Sequence, residues 1–129
     1  MSAGSWLARL LGLGSAQKGV AHWWSQRLTA VMLIPLVAWF LLSLLSLGSI
    51  DHATVAVWLS RPLNTILLSI FVVTLVYHSK LGIQVVVEDY VHAPRLQHIT
   101  LALMTFIHVI VGATGLYAIL SFAFGGQAE

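Results

Sequence analysis

The sequence predicts an all-α membrane protein of three transmembrane helices, and three observations carry that prediction. Of the 129 residues, 59% are hydrophobic and 8% charged, whereas a soluble domain carries roughly 25% charged residues. The apolar residues fall in three long blocks, each near the ~20 residues that cross a bilayer core. Aromatic and basic residues such as Trp23, Trp24, Arg27, Arg61 and Arg95 stand at the block ends, where amphipathic and charged side chains meet the headgroups.

Residues 1–26 set Trp6, Leu7, Leu10, Leu11 and Leu13 among Arg9, glycines and Lys18, and end at the pair Trp23-Trp24. This reads as an N-terminal interfacial segment closed by an aromatic belt. It is poor in arginine for a transit peptide and lacks the layout of a secretory signal, so the whole chain is kept, with residues 1–26 as this segment and 27–124 as the three-helix anchor domain. The first span covers about 28–47; its Pro35 is tolerated because a membrane helix re-satisfies the freed carbonyl locally. Residues 48–61 read as a polar connection containing Asp51 and His52. The second span covers about 62–87, with Pro62 near its first turn, where the missing N–H costs nothing. The acidic pair Glu88-Asp89 ends it, a loop over residues 90–98 follows, and the third span covers about 99–124 before a polar tail, 125–129.

The chain contains no cysteine, which excludes disulfides, thiolate zinc sites and iron–sulfur ligation by its own residues. Six basic residues give a net charge of +2 without the clustered stripe that nucleic acid requires. Nucleic acid is not expected as a partner. The basic residues act instead as topology signals: Arg9, Lys18, Arg27 and Arg95 flank one side and Arg61 the other. The positive-inside bias therefore places the N-terminus and the 88–98 segment in the cytoplasm, or in the matrix of a mitochondrion.

Ionisable groups inside a span are costly, so His78, Lys80 and His108 need an account. Lys80 lies two to three turns from the inner boundary and reads as a snorkelling side chain. Thr74, His78 and Gly82 share one helix face. A neutral imidazole beside small residues is a natural axial ligand for haem iron, and equally a helix-packing hydrogen bonder. His108 has the same ambiguity, on a face with Thr105, Gly112 and Gly115. Both histidines lie at similar depth, ~15 Å of helix rise from the inner boundary, which leaves room for an intramolecular bis-histidine haem. Plain helix packing through the small residues stands beside it. Asp89 follows His78 by eleven positions, which returns it to within ~20° of the same face if the helix continues that far. On its own, Asp89-Tyr90 reads as a solvated acid and an interfacial aromatic.

The stretch His78-Ser79-Lys80-Leu81-Gly82, followed by Glu88-Asp89-Tyr90-Val91-His92, resembles the second-helix pattern of the small cytochrome b-type membrane anchor of succinate dehydrogenases. Ser25-Gln26-Arg27-Leu28-Thr29-Ala30 resembles the arginine-led entry to that family's first helix. The resemblance covers roughly residues 22–124. It implies a three-helix half of a two-subunit haem-binding bundle. It also implies that His78 is an axial ligand of haem b, the second ligand coming from a companion anchor subunit, and that Arg27 lies near the haem propionates. His108 has no counterpart in the pattern. Tyr90 would hydrogen-bond ubiquinone, with Asp89 supporting it or passing protons. An iron–sulfur subunit and a flavoprotein subunit would dock at the inner face of the cell inner membrane, or less readily of the mitochondrial one. The resemblance leaves open a quinol:fumarate reductase anchor or another b-type cytochrome, which would use the same parts. A structural or assembly subunit, its histidines merely packing helices, is the remaining alternative.

Overall fold

A computed structural model of the chain describes residues 15–125. The expected interfacial residues 1–14 and the tail beyond Gly125 lie outside it. Four α-helices follow one another: α1 (Ser15–Ser46), α2 (His52–Leu59), α3 (Pro62–Tyr90) and α4 (Pro94–Gly125). Three of them are long and apolar enough to cross a membrane. Where no water is present to take backbone hydrogen bonds, a helix satisfies its own. The long apolar runs therefore fold this way, and at ~1.5 Å per residue the 29 residues of α3 reach past a ~30 Å hydrocarbon core.

α1 runs unbroken through the expected boundary at residue 26 and through Pro35. The proline leaves the Val31 carbonyl without its usual partner, and both residues lie on the exposed side of the helix. The chain reverses after Ser46 at Gly48, whose φ of +69° lies in the left-handed region that glycine enters without a Cβ clash.

The segment expected to be a polar connection contains a helix. Asp51 is the N-cap of α2: its carboxylate accepts from the Thr54 N–H at 2.8 Å and from the Ser49 hydroxyl at 2.6 Å. The hydroxyl of Ser49 is the largest influence that lowers the Asp51 carboxyl from its ordinary 3.8 to about 2, followed by the Thr54 N–H. The cap therefore stabilises α2 fully above the ordinary carboxylate range and is lost only as pH falls through about 2. Two side chains lock the α2–α3 turn. Asn64 Nδ2 donates to the Trp58 carbonyl at 2.8 Å, and the Thr65 hydroxyl donates to that of Leu59 at 2.6 Å.

At the other end, α3 continues through Tyr90 and α4 begins at Pro94, so the connection shrinks from the expected 90–98 to residues 91–93. Proline at a helix start costs no hydrogen bond, which is why the helix begins there rather than at Ile99.

The arrangement is an open layer. α3 lies in the middle, α1 packs on one flank and α4 on the other, and among the described residues α1 and α4 make no close contact with each other. Leu33 and Leu36 of α1 pack with Phe71 of α3, flanked by Phe40, Leu67 and Leu68. The Phe40 and Phe71 rings stand 5.2 Å apart. On the other flank Gly115 lets α4 approach α3: a Cβ there would stand 3.1 Å from Val72 Cγ1, closer than ordinary packing. α2 lies across the ends of α3 and α4, with Trp58 stacked 5.7 Å from Trp39 and His52 packed 4.8 Å from Phe122. Among the described residues no large side chain is fully buried, and Ile34, Leu45 and Phe124 are 70%, 82% and 70% exposed. Apolar exposure on this scale is stable only against lipid or neighbouring protein.

Candidate functional site

The α1 face that meets α3 changes character along its length. Towards the Gly48 end it is Leu33, Leu36 and Phe40, whereas towards the Tyr90 end the same face carries His22, Gln26 and Thr29. Thr29 is 8% exposed, and its Oγ1 stands 2.8 Å from Nδ1 of His78 on α3. The same hydroxyl is 2.7 Å from the Ser25 carbonyl and 3.1 Å from that of Gln26. His78 is half-buried. Among the described residues its hydrogen bonding involves Nδ1 alone.

Gly82, one turn along α3, faces Gln26. A Cβ at Gly82 would lie 3.7 Å from Gln26 Nε2, an ordinary contact, so α1–α3 packing does not require a glycine there. Gly115 shows the contrasting case. Two polar atoms on this α1 face, His22 Nε2 and Gln26 Oε1, are buried without a hydrogen-bond partner among the described residues. Buried polar atoms are ordinarily satisfied. The side chain spared at Gly82 and the unengaged His78 Nε2 together fit a bound group that approaches α3 closely and meets the imidazole. No cluster of three or more His, Cys, Asp or Glu with metal-binding geometry occurs among the described residues.

His108 is placed differently. Its Nδ1 lies 2.7 Å from the Met104 carbonyl, which can only accept, and its Nε2 lies 3.3 Å from the Ser79 hydroxyl. Both ring nitrogens are thus engaged within the chain. His78 addresses α1 while His108 addresses α3 from the opposite flank, so the two imidazoles do not face one shared gap. Lys80 lies along the α3–α4 groove near Tyr77, Thr105 and His108, its stem half-buried, as a snorkelling lysine would be.

The helix does continue to Tyr90, so Asp89 falls near the His78 face, ~16 Å further along the axis. Asp89 is exposed and Tyr90 is 79% exposed. Neither side chain makes a hydrogen bond among the described residues, whereas Glu88 accepts from Gln84 Nε2 at 2.8 Å. The macrodipole disfavours a carboxylate in the last turn of a helix, and that turn carries no basic residue to offset it. Arg27 is exposed beside the Thr29 face, its guanidinium 5.4 Å over the Trp23 ring. The structure thus brings Thr29 to His78, sets Asp89 and Tyr90 together at one end, and leaves Arg27 exposed over Trp23. Sequence reading missed Thr29 as the partner of His78 and Gln26 as the neighbour of Gly82. Their signal was the succession of polar residues at His22, Gln26 and Thr29 on the face that continues as Leu33 and Leu36.

Comparison with known proteins identifies a family. The family described as "Succinate dehydrogenase/Fumarate reductase transmembrane subunit" matches residues 1–115. The succinate dehydrogenase hydrophobic membrane anchor subunit of Rickettsia bellii (strain RML369-C) is 42% identical over 86 residues, 66% of this chain and 68% of its own. The succinate dehydrogenase membrane anchor subunit of Reclinomonas americana is 31% identical over 104 residues, 78% of this chain and 87% of its own. The corresponding protein of Rickettsia conorii (strain ATCC VR-613 / Malish 7) is 35% identical over 99 residues, 76% and 78% of the two chains. No solved structure matches the chain.

Proposed function

The chain belongs to the succinate dehydrogenase/fumarate reductase transmembrane subunit family, and from that premise we propose that it anchors a flavoprotein and an iron–sulfur subunit to the membrane. With a second anchor subunit it would hold haem b and build a site where ubiquinone is reduced. The observation that carries this reading is His78, tied through Nδ1 with Nε2 unengaged, one turn from a glycine that helix packing does not require.

In this reading His78 Nε2 is the ligand this chain gives to the iron, and the exposed Arg27 is available to pair with propionates in a bidentate way. A b-type haem held there supplies a one-electron redox centre. Tyr90 donates its hydroxyl hydrogen to a quinone carbonyl as negative charge develops on it. Reduction of a quinone to a quinol takes up two electrons and two protons, and in this reading Asp89, exposed near the end of α3, hands protons from water to the site.

Purification of the tagged chain from detergent-solubilised membranes tests the reading. The expected result is a complex with a flavin-bearing and a cluster-bearing polypeptide and a b-type haem spectrum. Isolation of the chain with neither partner and no haem would leave a purely structural subunit. Orientation has its own test: a reporter inserted near Arg95 should lie in the cytoplasm and one fused after Glu129 on the opposite side, as the basic-residue bias requires. The reverse pattern would place the Asp89-Tyr90 end away from the partners that deliver electrons.

A further inference from the structure

We infer that Thr29 is a positioning residue for His78, fixing which imidazole nitrogen carries the hydrogen and so which one is left to bind iron; this rests on the assignment of His78 as the iron ligand. A threonine hydroxyl has one hydrogen to donate, and a backbone carbonyl can only accept. The Thr29 hydroxyl lies 2.7 Å from the Ser25 carbonyl and 3.1 Å from that of Gln26, so its hydrogen is directed back onto its own helix. Threonine commonly bonds the carbonyl four residues earlier in this way. Towards His78, 2.8 Å away, Oγ1 is then an acceptor only. Nδ1 therefore carries the hydrogen and donates it, and in the neutral ring the lone pair falls on Nε2. Thr29 is buried, which keeps water from competing for Nδ1.

The relay runs from His78 Nδ1–H to Thr29 Oγ1 and from Thr29 O–H to the Ser25 carbonyl. It fixes the tautomer and the ring plane, and it raises the donor strength of Nε2, as outer partners of metal-bound histidines do. A stronger donor favours ferric over ferrous iron. Losing the acceptor should loosen the haem and raise its midpoint potential. Neither effect follows from helix packing alone.

The experiment uses the whole purified complex and compares Thr29→Val, which keeps the shape and removes the hydroxyl, with Thr29→Ser, which keeps the hydroxyl and removes the methyl. Two properties are read: the rate of haem transfer to apomyoglobin, and the haem midpoint potential by redox titration. In Thr29→Val, haem retention should weaken about 10- to 100-fold and the potential should rise, while Thr29→Ser should match the unmodified complex in both. If Thr29→Val does not assemble, Thr29→Ala against Thr29→Ser carries the same comparison. Wild-type retention and potential in the variant lacking the hydroxyl would overturn the inference, and so would an equal change in Thr29→Ser. His78→Ala in the same series separates the two levels. A b-type spectrum that survives it removes the ligand assignment and Thr29 with it, whereas loss of the spectrum beside an unchanged Thr29→Val removes Thr29 alone.

Discussion

Replacing His78 by alanine is expected to abolish the b-type haem spectrum of the purified complex, while His108→Ala leaves that spectrum largely intact. The difference follows from what each ring nitrogen already does. His108 engages the Met104 carbonyl and the Ser79 hydroxyl, so a metal would have to displace an existing partner. His78 is held at one nitrogen only. The reduced-minus-oxidised difference spectrum, normalised to flavin content, reads the outcome directly. Loss of haem in His108→Ala with retention in His78→Ala would invert the assignment, and equal loss in both would point to a bundle that no longer assembles. The ratio of subunits in the same samples distinguishes that case.

The second large effect is expected at the exposed end of α3. Tyr90→Phe keeps a ring of nearly the same volume and removes only the hydroxyl donor. Succinate oxidation in the soluble partners should continue, measured with an artificial dye as acceptor. Quinone reduction should fall on the order of 10²-fold, the usual cost of removing a donor aimed at developing charge. Asp89→Asn should lower the same activity and alter its pH dependence if the carboxylate relays protons. Because Tyr90 is 79% exposed and Asp89 is exposed in this chain, neither substitution disturbs packing within it. Full quinone activity in both variants would reduce the pair to an interfacial helix end, and parallel loss of dye and quinone activity would reveal a docking role instead.

What the sequence made legible, and what it hid, has a physical pattern. The spans were readable because lipid demands length and apolarity, and both are written along the chain. Rotation was not. In a soluble helix the apolar stripe marks the inward face, but in α4 the exposed side, with Leu103, Phe106 and Ile110, is as apolar as the side against α3, so faces are marked only by small and polar residues. Gly112 and Gly115 gave that signal correctly for the α3 contact. Thr29 gave it too, yet its partner lies 49 residues away, and no spacing rule reaches across helices. α2 was hidden for another reason: Asp51 and His52 suggested a solvated connection, when Asp51 is the cap that starts Ala53-Thr54-Val55-Ala56 on a helical turn. The candidate site divides likewise. His78, Asp89 and Tyr90 were singled out by their place in a family pattern, their residue types alone leaving the plain readings open, whereas Gln26 and His22 stand out only once their buried atoms lack partners.

His78 and Ser79 are consecutive in sequence, and each reaches for a different neighbour, Thr29 of α1 and His108 of α4. The result is a belt of four polar side chains crossing all three spans at one level. Such bonds inside a membrane average only ~0.6 kcal/mol each, too little to hold the layer together. Their consequence is azimuthal. A lipid-bathed helix of valine, leucine and isoleucine meets almost no penalty for turning about its axis, but turning α3 by one position, ~100°, would break both contacts at once and part His78 and Ser79 from their polar partners. The belt works as a key that admits one angular setting of α3, and that setting aims the His78 ring and orients the end that carries Asp89 and Tyr90.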